Sequence, residues 1–133
     1  MCFDSRIDYL PSGRRNKEKM PRRLFKSADG YYNECLFGDH IEEFGPTVVV
    51  ESEKTAIIGA CFYPDFRWLA TGGKNKAYLC RDKGYIMAPD FEPDAIEIWA
   101  SIGRLWQWWD GYGVSEGEDV GDLMLRKCAS SRR

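Results

Sequence analysis

Glu51 closes the run Val48-Val49-Val50, and Asp90 follows the apolar run Tyr85-Ile86-Met87-Ala88 by one proline. A β-branched run with no polar break reads as a strand buried on both faces, the kind found in parallel sheets. In such a sheet the carboxyl ends of neighbouring strands lie on one edge, where open α/β sheets place their ligands. Glu51 and Asp90 are therefore expected to converge although far apart in sequence. Further acids fall nearby in the pattern: Glu92 and Asp94 after Asp90, then Asp119 with Asp122. Converging carboxylates repel unless a cation neutralises them. Magnesium, or manganese in its place, suits hard oxygen ligands and orients phosphates. The turn Thr71-Gly72-Gly73 offers close backbone approach at the same edge, and Lys54 offers a point charge for a phosphate. The same acids at strand ends are also ordinary helix caps, so spacing alone leaves both readings open.

The elements that must position these groups alternate along the chain. Gly45-Pro46 punctuates the entry to a strand at 47–50, followed by a helix at 53–62 that Tyr63-Pro64-Asp65 stops. Arg67-Trp68-Leu69-Ala70 reads as a second strand, Lys74 to Lys83 as a weaker helix closed by Gly84, and 85–88 as a third strand. A helix at 93–104 has Pro93 in its first turn and acids suited to its amino-terminal dipole. Leu105-Trp106-Gln107-Trp108-Trp109 is a candidate fourth strand whose aromatics suit packing better than base stacking. Asp119 to Leu125 reads as a final amphipathic turn of helix. Strand–helix alternation with short loops predicts an α/β fold, a parallel sheet of about four strands flanked by helices.

Composition bounds the rest. The 133 residues carry 44% hydrophobic and 14% aromatic side chains, enough for one domain with a real core. No apolar run reaches the roughly 18 residues that span a bilayer, and the amino terminus is no signal peptide, so a cytoplasmic protein without membrane contact is expected. Five cysteines without a CxxC pair read as reduced thiols, and His40, the single histidine, as structural. The organisation expected is a basic appendage at 1–40, a folded domain at 41–128 and a polar tail at 129–133. The appendage, with Arg14, Arg15, Arg22 and Arg23, reads either as a patch for nucleic-acid phosphates or as a solvated loop.

Together the blocks resemble the Toprim domain of primases, topoisomerases and small nucleases. They are closest to the Toprim-like domain of primase-related proteins of bacterial mobile elements and phages. The blocks are Cys35 to His40, Val50-Glu51-Ser52-Glu53-Lys54-Thr55-Ala56, Trp68-Leu69-Ala70-Thr71-Gly72-Gly73, Pro89-Asp90, Trp99 and Asp119-Val120-Gly121-Asp122. The resemblance implies a Toprim-like (Rossmann-like) fold. It implies Glu51 as general acid/base or metal-associated carboxylate, and Asp90 as a magnesium ligand. Glu92 occupies the second acidic place, where the family usually has aspartate, and Asp94 either substitutes for it or caps the helix. Zinc-binding and further primase-type segments of the larger relatives have no counterpart in these residues, so a fragment or a standalone Toprim-like protein is expected. The function implied is phosphoryl transfer or phosphodiester cleavage on nucleic acid. The alternative is a non-catalytic interaction module that binds a host protein or nucleic acid.

Overall fold

The computed structural model describes residues 36–131. The basic stretch with Arg14, Arg15, Arg22 and Arg23 lies outside the described residues, and the expectation placed on it goes with it. The valine run forms β1 (Thr47–Val50), with all four residues buried. It pairs in parallel with β2 (Arg67–Ala70), matching Val48 to Trp68 and Val50 to Ala70. On its other side β1 pairs in parallel with β3 (Ile86–Met87), which pairs in parallel with β4 (Arg104–Leu105). The order is β2-β1-β3-β4. This is the four-stranded parallel α/β sheet that the alternation predicts.

Because successive strand side chains point to opposite faces, β1 divides its valines between two cores. Val48 and Val50 join Trp68, Ala70 and Ala88 under Ala56 of α1 (Glu53–Phe62) and Val120, Leu123 and Met124 of α3 (Val120–Ser131). Val49 joins Leu69, Met87 and Trp99 on the opposite face. There the cover comes from the 3-10 helix Lys74–Cys80 and from α2 (Pro93–Ala100). Helices on both faces explain why the strands read as unbroken apolar runs.

Several boundaries differ from the sequence expectations. The segment Lys74–Cys80 is 3-10 rather than α-helical and ends three residues early. The indole of Trp99 donates to the Lys74 carbonyl at 2.9 Å, pinning the first turn to α2. Helix α2 stops at Ala100 rather than at 104. Beyond it Gly103 passes so close to β3 that a Cβ there would meet Met87 Cγ at 2.8 Å. The candidate strand at 105–109 shrinks to Arg104–Leu105, because Trp108 turns inward to donate to the Pro89 carbonyl at 2.8 Å. At the front, Leu36 is buried and Phe37 makes an antiparallel bridge with Ala70, so the fold begins before residue 41. At the back, α3 runs through the expected polar tail to Ser131.

Helix α1 starts where Ser52 caps it, its hydroxyl accepting from the Thr55 amide at 3.1 Å. Its Gly59 lies flat against β2, where an added Cβ would sit 2.4 Å from the Trp68 ring. Gly→Ala in a helix ordinarily gains up to about 1 kcal/mol. Here the indole is rigid and buried, and overpacking of this kind costs about 1–3 kcal/mol. Gly59→Ala is therefore expected to lower stability in urea unfolding followed by circular dichroism. A gain would show that α1 can lift from the sheet freely.

Two thiols differ sharply in setting. Cys61 is exposed on α1, whereas Cys80 is buried and its thiol is pushed up to about 11 by burial. The thiolate is the reactive form. Peptide mapping after brief iodoacetamide treatment at pH 8 is expected to find Cys61 alkylated and Cys80 untouched until the chain is denatured. Early modification of Cys80 would contradict this packing.

Candidate functional site

The strand order places the site. From β1 the chain crosses to β2 on one side, then steps over β1 to β3 on the other, so the order reverses between β1 and β3. At such a switch point the connections leave to opposite faces and open a crevice at the carboxyl edge. Glu51 is the residue after β1, and Asp90 stands three residues past the end of β3. The two are joined directly: the Asp90 amide donates to Glu51 Oε2 at 3.0 Å. Their convergence, expected from the parallel sheet alone, is what the structure contains.

Asp90 is the unusual member. Its carboxylate accepts no hydrogen bond among the described residues and is half-buried. Its carboxyl is pushed up to about 8, first by burial, then by the charges of Glu51, Asp119, Glu92 and Asp122. The Glu51 carboxyl is also raised, first by burial; Glu92 and Asp94 add to this, while the Asp90 amide and Lys74 oppose it. A carboxylate placed among like charges in a crevice is a functional-site signature, because folding alone selects against it.

Loops from the far end of the chain hold this edge in place. Phe91 and the 117–118 turn exchange backbone bonds, Phe91 N–H to the Glu118 carbonyl at 2.8 Å and Gly117 N–H to the Phe91 carbonyl at 2.9 Å. That exchange sets Asp119 and Asp122 beside Asp90. The pair themselves form a reciprocal cap at the start of α3. Asp119 N–H donates to Asp122 Oδ2 and Asp122 N–H to Asp119 Oδ1, each at 2.9 Å. Trp108 braces the Asp90 loop through its bond to the Pro89 carbonyl, and stacks edge-on with Trp109 and Phe91. These tryptophans are packing groups, as their sequence setting suggested.

The other site candidates separate. Glu92 is the N-cap residue of α2 but its side chain makes no cap bond, and its charge acts on Glu51 and Asp90. Asp94 has a protein partner at each oxygen: Oδ1 accepts from the Ala95 amide at 2.9 Å and Oδ2 takes the ammonium of Lys74. Gly72 adopts φ 84°, and open space lies where a Cβ would stand on Gly72 or Gly73. Their amides, however, are already bonded. Gly72 N–H donates to the Glu51 carbonyl at 2.7 Å, and Gly73 N–H to Thr71 Oγ1 at 3.2 Å. The turn therefore offers room rather than free donors. Lys54 is an exposed side chain in the first turn of α1, while the cation whose charge reaches Glu51 is Lys74. Lys74 was missed because its proximity depends on strand order, which no local pattern reveals.

The donor set is all oxygen, as a hard divalent cation requires. Among the described residues no three acids are gathered closely enough to form a ready-made cage. Magnesium commonly uses one or two carboxylates and completes its shell with waters and substrate phosphate. Glu51 Oε1 and Asp90 fit that pattern, with Glu92 within electrostatic reach. A separate cleft of about 400 Å³ between α1, Trp106 and α3 is lined by Phe62, Tyr63, Tyr112, Leu123 and other residues, none of them these acids.

Fold and crevice together define an α/β protein with a carboxylate pair at its switch point. Residues 5–84 match the family described as Domain of unknown function (DUF6371), and the chain belongs to that family. The matched span contains Glu51 and the 71–73 turn and ends before Asp90. No curated protein and no solved structure matches the chain.

Proposed function

We propose that this chain is a nucleic-acid-associated, magnesium-dependent Toprim-type protein, primase-related and of mobile-element or phage type, acting on phosphodiester or phosphoanhydride bonds. The observation that carries the reading is the junction of Glu51 and Asp90 at neighbouring strand ends of the switch point. Glu51 Oε1 and Asp90 would hold the ion, and the charge of Glu92 adds to the same crevice. When bound there, a divalent cation polarises a phosphate and neutralises charge on the attacking and leaving oxygens. With the ion on Asp90 alone, Glu51, its carboxyl raised first by burial, would instead hold or release a proton at Oε1. Asp119 and Asp122 keep the crevice negative while their mutual bonds fix the start of α3.

The test is a magnesium- or manganese-dependent nuclease and nucleotidyl-transfer assay on the wild type, Glu51→Gln and Asp90→Asn. The expected result is activity that either substitution lowers at least 100-fold. Activity surviving both substitutions would overturn these roles.

A second reading, a binding module for a host protein or nucleic acid, draws on a different observation. Phe37, Ile41, Phe44 and Ile57 are exposed around a cleft of about 270 Å³. Tight complex formation indifferent to chelator and to both substitutions would favour it.

A further inference from the structure

Lys74 occupies a position that the carboxylates alone do not explain. It follows the 71–73 turn at the carboxyl edge of β2, the strand beside β1. Its backbone is anchored, because its carbonyl accepts from the fully buried Trp99 indole at 2.9 Å. Among the described residues its side chain is held by Asp94, an exposed carboxylate whose other oxygen accepts from the Ala95 amide in the first turn of α2. Its charge acts on Glu51, Glu92 and Asp94 together. An anchored backbone with an ammonium paired to an exposed carboxylate, beside an acidic crevice, is an arrangement for meeting an anion that enters with a cation. Exposed ion pairs contribute about 0–1 kcal/mol, so an arriving phosphate can take the ammonium from Asp94 at little cost. The turn beneath it supplies space, while the Gly72 and Gly73 amides are already bonded.

We infer that Lys74 is the phosphate-contacting cation of this site, latched to Asp94 in the free protein and transferred to a backbone phosphate of single-stranded nucleic acid when it binds. The inference rests on the metal-site reading above and replaces Lys54 in that role. Lysine serves here as a point charge, so arginine should retain most of the contact.

The experiment uses the full chain, a fluorescein-labelled single-stranded DNA dodecamer and anisotropy titration in magnesium, with magnesium binding measured in parallel by calorimetry. Lys74→Ala is expected to weaken DNA binding about tenfold, the worth of one charge-assisted contact of about 1.4 kcal/mol. Lys74→Arg should stay within about threefold of wild type and Lys54→Ala within about twofold, a loss too small for a lost phosphate contact. Asp94→Asn, which keeps the oxygen that caps Ala95, should bind DNA more tightly than wild type because the latch is gone. Magnesium binding intact, with Lys74→Ala binding DNA as well as wild type, would overturn the inference and leave the metal site standing. Absence of magnesium binding in the wild type would overturn the metal reading, and the inference with it.

Discussion

Asp90→Asn is expected to make the metal-free domain more stable while removing its function. In chelator at pH 8, urea unfolding should show the variant more stable by about 1–2 kcal/mol, the scale of relieving a half-buried carboxylate of unfavourable neighbours. The sign follows from the direction of the shift. The Asp90 carboxyl is raised from its ordinary 3.8 to about 8 in the folded chain, so the folded state holds its proton where the unfolded state has lost it. Below pH 4 both states are protonated and Asp90 costs nothing. As pH rises from 4 to 8 the unfolded state gains, and wild-type stability falls. Above 8 the full penalty remains. Asparagine has no charge to desolvate or to set against Glu51, Glu92, Asp119 and Asp122. The difference between the two proteins should therefore vanish near pH 4 and grow to a plateau near pH 8. The penalty stays below what so raised a carboxyl would cost in full burial, because Asp90 is partly exposed and solvent screens its neighbours. A variant less stable than wild type at pH 8 would mean that Asp90 is held by favourable contacts and is an ordinary structural acid.

Trp99→Ala is expected to bring the largest loss of stability, about 3–5 kcal/mol, the range for deleting a large buried aromatic. Trp99 is fully buried among Leu69, Met87, Ala77 and Cys80, and so carries the packing of the whole α2 face of the sheet. Against a total of about 5–15 kcal/mol for a domain of ordinary stability, the variant should be close to unfolding at 37 °C. Trp99→Phe keeps much of the volume but releases the Lys74 carbonyl. It should cost about 1–2 kcal/mol, a truncation term and one lost hydrogen bond. Urea midpoints read by circular dichroism separate the two substitutions. A loss below about 1 kcal/mol for alanine would mean that this face is loosely packed.

How much of this could be read from the sequence depends on the range of the forces involved. Strand β1 and Glu51 were legible because three valines and the Ser52 cap are local signals, and Pro64 marks the end of α1. The juncture of Glu51 with Asp90 followed from parallel pairing, a rule that holds whatever the loops do. Less legible were features set by distant partners. The inward turn of Trp108 toward Pro89 truncated the expected fourth strand, and Gly103 against Met87 shortened α2. Lys54 stands near Glu51 in sequence, whereas Lys74, far from it in sequence, acts on Glu51 through the β2-β1-β3-β4 order. Asp94 looked equally suited to ligand or cap until both its oxygens found protein partners. The closeness of Asp119 to Asp90 depends on bonds between Phe91 and the 117–118 turn, for which no local pattern exists.

The central claim is that Glu51 and Asp90 form a working divalent-cation site, and calorimetric titration with magnesium and manganese tests it most directly. Wild type should bind with a saturable isotherm near one ion per chain, and Asp90→Asn, folded and more stable in chelator, should show none. Equal binding by both proteins, or heat without saturation in either, would contradict the claim.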